Sequence, residues 1–510
     1  MAEKLVLVVV DAMHPGMLHR AMESGDAPTF AALAERGELI DDMVSSFPSV
    51  TPVCCSEMMT GAGPAAHGVI GMNWYHRLER RYIEYGSSFE ATRTFGLFRA
   101  MYDLVYNMNL DHLSWEVETL FERLGDAGVR TAITPFLIYR GRRRHELGLE
   151  GLAKRAAGAV NFRHAVWAPD EFFYGDLYSS RPTGCGPSFT RPGTRDEYSA
   201  CVAEELVREG AFDFLLLSLP DNDFHSHRFG PDATVDSIAK ADASFARIVE
   251  AGGGLDAFLS EHAVILTADH AQSDVEHDLP LVDALAEDWH VLAPNEDVPE
   301  EAEIAVSPTS RAGAVYVLDS GAGHTGAHEK VRERLRGMDG VDLVTWLADT
   351  DGRPPAREGV GLPEGSELFA RVVRDGYEFR FRPGGQLRDE RGARWEVFGE
   401  PEAVGGDVTR GRFESPDYPD ALARLWSALT SPHSGDVLIS AADGYECVDW
   451  GGVSHAGGGS HGALSRGDSL APLLFVNCGP SEPSKRPWSL RDIAPAILDH
   501  FGAGPAGAPA

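Results

Sequence analysis

Apolar residues fall into a few unbroken runs rather than an alternation. "KLVLVVV", "RTAITPFLIY", "FDFLLLSL" and "HAVILTA" are nearly continuous, and segments of helical period separate them. Runs of that kind belong to strands buried on both faces, which predicts a largely parallel sheet covered by helices. Two intervening segments read as helices. "PTFAALAERG" has Pro28 near its start and Gly37 as a stop, and "TVDSIAKADASFARIVEAGGG" ends in a glycine terminator.

After about residue 276 the pattern changes. "EEAEIAVSPTSRAGAVYVLD" predicts a hairpin, and "ELFARVVRDGYEFRFRPGGQLRDERGARWEVFGE" predicts a meander turning at "RDG" and "RPGG". The short helix "AHEKVRERLRGM" lies between them. Core-like runs resume with "DVLISA" and "LAPLLFVNCG". A closing helix, "SLRDIAPAILDHFG", has Ser489 as its N-cap. The expected architecture is α/β: a doubly wound, mostly parallel sheet flanked by helices, with an inserted α+β cap domain. Residues 1–275 and 435–510 form the core in this reading, and 276–434 form the cap. A chain of 510 residues is long for one core, which agrees with such an insertion.

The formal charge of −33 argues against nucleic-acid polymers and anionic membrane surfaces as partners, because the long-range field repels polyanions. A small anionic substrate stays compatible, since bound metals can reverse the sign of charge inside a pocket. The first apolar run reaches Asp11 after seven residues. That is too short for a signal-peptide core or a membrane span, so a cytoplasmic location is expected. Six cysteines (Cys54, Cys55, Cys185, Cys201, Cys447 and Cys478) show no CxxC pair or regular spacing, which predicts reduced thiols.

Candidate chemistry sits just past the apolar runs. Asp11 follows "KLVLVVV", Asp223 and His227 follow "FDFLLLSLP", and Asp269 and His270 follow "AVILTA". His461 lies in "GGGSHG", and "DDMVSSFPSVTP" brings Thr51 to the same edge. Any one of these is most simply a polar loop residue. Their recurrence carries more, because ligands of open α/β sheets bind outside the carboxyl ends of the strands. Three carboxylates, three imidazoles and a hydroxyl suffice to hold two divalent metals around a phosphate, which points to a hydrolase. Pro52 at the first helical position would make Thr51 an N-cap, with its hydroxyl at a natural phosphate seat. In "DNDFHSHRFGP" the pair Asp221/His225 has the same spacing as Asp223/His227, and His455 competes with His461.

These motifs resemble the alkaline phosphatase superfamily, closest to its nucleotide pyrophosphatase/phosphodiesterase branch. The resemblance rests on "VVVDAMHPGM", "FPSVTPVCCSEMMTGAGPAAHGVIG", "DFHSHRFGP", "TADHAQ", "GGSHGALSRGDSLAPLLFVNCGP" and "RDIAPAIL", in the family's order. It implies that Asp223, His227 and His461 bind one metal and Asp11, Asp269 and His270 the other. Thr51 would lie on the second metal as the nucleophile. "HRFGP" after His227 favours Asp223/His227 over the alternative pair. The implied chemistry is in-line attack by Thr51, a covalent phosphothreonine and its hydrolysis, with ions roughly 4 Å apart. Zinc is the expected metal, and manganese or iron suit the same donors.

Two positions depart from the family pattern. Many relatives place a phosphate-binding asparagine where this chain has Met72, with Asn73 one residue later. Arg140 and Arg142 in "LIYRGRRRHE" match the spacing of a Lys-x-Arg pair that grips phosphoryl oxygens in some phosphomonoesterases. The resemblance makes a nucleotide or other small phosphodiester or pyrophosphate the first substrate. A phosphomonoesterase, a phosphomutase and a non-catalytic metal- or nucleotide-binding protein are the alternatives. The absence of a C-x-P-x-R sequence speaks against a sulfatase. Oligomeric state is not legible in the sequence.

Overall fold

Eight strands form the main sheet, in the order Glu38–Val44, Leu470–Val476, His262–Thr267, Lys4–Val10, Phe214–Leu219, Thr131–Ile133, Glu171–Tyr174 and Tyr178–Ser179. The computed structural model describes residues 3–147, 165–175, 177–186, 195–296, 301–318, 324–355, 357, 362 and 367–504. Lys4–Val10 is central and pairs in parallel with both Phe214–Leu219 and His262–Thr267. Thr131–Ile133 and Glu171–Tyr174 continue the parallel set, whereas Leu470–Val476 runs antiparallel between His262–Thr267 and Glu38–Val44. Every residue of Phe214–Leu219 and His262–Thr267 is buried, which is why these strands read as unbroken apolar runs. Covering helices such as Val235–Ala251 bury Ile238, Ala241, Phe245 and Ile248 along one stripe.

Register sets where the chemistry emerges. Val10 lies opposite Leu219 and Val9 opposite Thr267, so the three central strands end together. The next residues of each, including Asp11, Asp223, Asp269 and His270, therefore leave the sheet at one edge.

A second sheet of nine strands contains the expected hairpin, Ile304–Thr309 with Ala312–Val317, and the meander Phe369–Arg374, Tyr377–Arg388 and Arg394–Gly399. Both its faces are covered. Along Val341–Ala348, Leu343 and Leu347 pack towards the Ala421–Thr430 helix, while Val344, Trp346 and Ala348 pack in a separate cluster with Val331 and Leu335. Val437–Ala441, expected to return the chain to the core, instead lies between Ala312–Val317 and Val341–Ala348 in this second sheet. Its apolar continuity signals burial on both sides, and both sheets offer that.

Three further differences have local causes. Gly37 does not end a helix, since Pro28–Ala34 stops three residues earlier. A Cβ there would sit 2.3 Å from the carbonyl oxygen of Phe475, so the residue admits the neighbouring strand. Cys185 and Cys201 form a disulfide with Cα atoms 5.7 Å apart, which corrects the expectation of reduced thiols. Their pairing is made by the fold bringing the chain back on itself, not by a spacing motif. Cys54, Cys55, Cys447 and Cys478 are free. Ser489 does cap as expected, in a reciprocal capping box with Asp492. Among the described residues no helix is long and apolar enough to cross a membrane.

Candidate metal centre

The backbone N–H of Asp11 donates to the carbonyl of Leu219 at 3.1 Å, which extends the central pairing by one residue and holds Asp11 at the sheet edge. Asp223 and His227 lie on the Asp221–Phe229 helix, and their i, i+4 spacing puts both on one face. Nε2 of His227 is 3.4 Å from Oδ1 of Asp223. Asp221 and His225, two residues out of phase, face elsewhere. Asp221 exchanges backbone-to-carboxylate hydrogen bonds with Asp196 at 3.0 and 3.2 Å, and His225 bonds the carbonyl of Ala233 at 3.1 Å.

Asp269 and His270 follow the His262–Thr267 strand after one residue, Ala268. Oδ1 of Asp269 accepts from the backbone N–H of Ala12 at 3.3 Å and of His270 at 3.1 Å. Nε2 of His270 lies 3.4 Å from Oδ2 of Asp269, 3.8 Å from Oδ1 of Asp11 and 3.1 Å from Oγ1 of Thr51. His461 reaches the same place because Ser460 pairs with Ser273, just after His270. Its ring stacks on His270 with centroids 3.9 Å apart, and its Nε2 is 3.8 Å from Oδ1 of Asp223. The preceding glycines permit this. A Cβ on Gly458 would fall 2.1 Å from the carbonyl oxygen of His227.

All three imidazoles are oriented in the same way. Nδ1 of His227 lies 2.8 Å from the carbonyl of Gly459, that of His461 2.8 Å from Ser49, and that of His270 3.1 Å from Ala271. An Nδ1–H donated to a carbonyl leaves the Nε2 lone pair free, the arrangement of metal-ligating histidines. Ligand atoms of Asp223, His270 and His461 lie within 4.8 Å of one another, as do those of Asp11, Asp269 and His270.

Charge at this edge is unbalanced without a cation. Oδ1 of Asp11 and Oδ2 of Asp269 are buried with no hydrogen-bond partner. Burial, with the neighbouring carboxylates of Asp269 and Asp223, pushes Asp11 well above the usual carboxylate range. His461 is held well below the ordinary imidazole value by burial and by the adjacent rings of His270 and His227. Burial also lowers His227, against the opposing pull of Asp223. Neutral imidazoles and unpartnered carboxylate oxygens are the donors a divalent cation requires, so the residues fit the metals expected of them.

Thr51 is the first residue of the Thr51–Thr60 helix, with Val50 in the cap position, so the expected N-cap role is corrected by one residue. Its hydroxyl faces His270 rather than the helix's own N–H groups. Three other expected residues are not brought to the cluster. Asn73 is buried, and its amide nitrogen donates to the carbonyl of Pro308. Arg140 is buried with four donor contacts made: Nε to Glu122 at 3.1 Å, and Nη atoms to the carbonyls of Leu113, Ser114 and Val117 at 2.8, 3.1 and 2.5 Å. Arg142 pairs with Glu118, Glu122 and Asp126 at 2.6–2.9 Å. Those acids recur every fourth residue in "EVETLFERLGD", a stripe that signals their cationic partners.

Two supporting groups carry no strong sequence signal. Gln272 donates to Oδ1 of Asp223 at 2.6 Å. His455, considered above as a ligand, stacks on His227 at 3.9 Å, and its Nδ1 lies 2.8 Å from Glu446. Burial lowers His455, but Glu446 outweighs that and holds it above the ordinary imidazole value.

The family model described as type I phosphodiesterase / nucleotide pyrophosphatase matches residues 5–394. Phosphonoacetate hydrolase from Sinorhizobium meliloti 1021, in complex with phosphonoacetate, is similar in structure with a TM-score of 0.56 at 15% identity, over 98% of this chain and 96% of that one. Murine ectonucleotide pyrophosphatase / phosphodiesterase 5 gives 0.56 at 11% identity, over 99% and 97%. An inactive form of the murine protein in complex with AMP gives 0.54 at 10%, over 99% and 97%. At these identities the structural likeness speaks for the fold. Curated protein sequences give no match.

Proposed function

The chain belongs to the type I phosphodiesterase / nucleotide pyrophosphatase family, and from that premise we propose a two-metal hydrolase of a small phosphodiester or nucleotide pyrophosphate, acting through a phosphothreonine on Thr51. Hydrolysis of phosphoester bonds is the family's chemistry. The finer reading is carried by one observation: Asp11 and Asp269 on one side and Asp223 and His461 on the other cluster around His270, whose Nε2 is 3.1 Å from the Thr51 hydroxyl, and His227 joins the second group with its Nε2 3.4 Å from Asp223 Oδ1.

Asp223, His227 and His461 would hold one divalent ion, and Asp11, Asp269 and His270 the other. Zinc is favoured, although these oxygen and imidazole donors, with no thiolate, also accept manganese or iron. The bound ions supply positive charge for the phosphoryl oxygens and lower the proton affinity of the nucleophile. The carbonyls of Gly459, Ser49 and Ala271 keep the three imidazoles aimed while that charge moves. Thr51 Oγ1 attacks phosphorus in line with the departing oxygen. The Oγ1–P bond forms as the bond to the leaving group breaks, and water then attacks phosphorus and restores Thr51. Its position at the start of a ten-residue helix favours negative charge there.

The ion-paired settings of Arg140 and Arg142 remove the feature that favoured a dianionic monoester, which supports the diester reading. AMP bound to one structural neighbour makes a nucleotide ester the first natural substrate to assay. The second sheet abuts the His461 loop through a hydrogen bond from the backbone N–H of Arg311 to the His461 carbonyl at 2.8 Å, which makes this sheet the neighbouring element to test for substrate selection.

The test compares the zinc-loaded enzyme with Thr51→Ala on bis-p-nitrophenyl phosphate and p-nitrophenyl phosphate. The diester should be preferred, and the variant should keep both ions while losing about 10³-fold or more in kcat. Near-native rates in the variant would instead favour direct attack by water. A monoester preference would refute the substrate class.

A further inference from the structure

The Asn73–His76 and Arg81–Glu84 hairpin meets the end of the Asp103–His112 helix at a second cluster of ionisable groups. His112 is its anchor and is only 2% exposed. Nδ1 of His112 is 2.7 Å from the hydroxyl of Tyr85, and its ring sits edge-on to Trp74 with centroids 5.3 Å apart. Nε2 of the same ring is shut off from solvent and has no hydrogen-bond partner. A buried nitrogen left in that state costs free energy, and with Nδ1–H donated to the Tyr85 oxygen Nε2 carries a lone pair that a cation would accept.

A ring nitrogen of His112 and carboxylate oxygens of Glu79 and Asp111 all lie within 4.8 Å of one another. Glu79 stands in the hairpin turn, and Asp111 is the residue before His112. We propose that Glu79, Asp111 and His112 form a binding site for a divalent cation, separate from the metal centre at the sheet edge. One imidazole and two carboxylates are donors suited to zinc or manganese, with the remaining positions left to water.

The surrounding charges are compatible with this assignment. Arg81 opposes a cation, but its guanidinium is engaged by both oxygens of Asp103 at 2.7 and 3.0 Å and by Oε2 of Glu79 at 2.5 Å. With Asp103, Glu79 and Asp111 set against Arg81, the site stays net negative. His76 is close but is not a ligand. Its Nδ1 accepts the backbone N–H of Glu79 at 3.1 Å, which puts the proton of the neutral ring on Nε2, 3.9 Å from Oε1 of Glu79. The ion would clamp the hairpin to the helix end.

Equilibrium dialysis of the full chain against Zn²⁺ alone, followed by metal analysis, tests the site. Glu79→Gln and Asp111→Asn should each bind one ion fewer than the wild type and hydrolyse bis-p-nitrophenyl phosphate unchanged. Both residues are exposed, so folding is not at stake. His112→Phe, which keeps a ring against Trp74, should lose the same ion. Equal ion counts in the wild type, Glu79→Gln and Asp111→Asn overturn the proposal. The comparison is between variants that leave the sheet-edge ligands intact, so it reads this site whether or not the metal centre fills as proposed.

Discussion

Replacing Asp269 by asparagine should move stability in opposite directions with and without metal. In the metal-free protein Oδ2 of Asp269 is buried and unpartnered, as is Oδ1 of Asp11, and ligand atoms of the two side chains lie within 4.8 Å. Two full charges at that separation repel by about 3–4 kcal/mol at an effective dielectric near 20. Proton uptake by Asp11 relieves part of this, which leaves roughly 1–3 kcal/mol to recover. The substituted amide would keep the bonds from the N–H groups of Ala12 and His270 through its carbonyl oxygen, and its nitrogen would offer a donor to Asp11. With an unfolding entropy near 2.1 cal/mol/K per residue, a chain of 510 residues should gain about 1–3 °C in Tm. The gain should grow with pH. Asp11 has a raised folded pKa, so its contribution to stability is present below its unfolded value and lost as pH rises through the folded one. With zinc present the sign reverses, because each tenfold loss of affinity removes about 1.4 kcal/mol of ligand-derived stability at fixed metal concentration. Differential scanning calorimetry at pH 6 and pH 8, with zinc and with chelator, reads all four states. A variant that melts below wild type in chelator at pH 8 would refute the repulsion argument. An unchanged zinc-dependent rise in Tm would refute the ligand role.

The two arginines predict a contrast. Arg142→Ala should leave kcat/KM on the diester unchanged, because its partners are the acids of the Glu118–Asp126 stripe and not the substrate. Arg140→Ala removes one partner of the buried Glu122, which keeps Arg142 and the Thr119 N–H, and leaves the carbonyls of Leu113, Ser114 and Val117 without their donor; it should cost about 3 kcal/mol or more in denaturant unfolding, with KM intact in the folded fraction. A raised KM in either variant would return that arginine to the substrate. His67 is fully buried, and burial lowers it to about 3. The unfolded chain takes up its proton first, so stability is full above pH 6.5 and falls by roughly 4–5 kcal/mol as pH drops towards 3. Buried His112 and His433 are lowered as well, so His67→Asn should lessen, not abolish, the fall of the urea midpoint across that interval, and an unchanged slope would exclude His67 as a contributor.

Much of the centre was legible in one dimension. Fully buried parallel strands must be continuously apolar, so the runs ending at Val10, Leu219 and Thr267 announced both the sheet and the edge where Asp11, Asp223, Asp269 and His270 emerge. Local periodicity also announced the hairpin, the meander and the Ser489 cap. What the sequence could not carry were choices that depend on partners far away in the chain. Apolar continuity marked Val437–Ala441 as buried but did not assign its sheet, because burial looks the same on either side of a boundary. Helical phase, visible only once Asp221–Phe229 is a helix, separated Asp223/His227 from Asp221/His225. Arg140 and Arg142 look alike to a substrate phosphate and to a stripe of acids, and only the fold shows that Glu118, Glu122 and Asp126 meet them. The Cys185–Cys201 pairing, the carbonyls that aim three imidazoles, and the unpartnered Nε2 of His112 are likewise tertiary. Sequence determines which groups are available and which segments must be buried. Packing decides which groups meet, because a contact is set by the path of the whole chain between its two members.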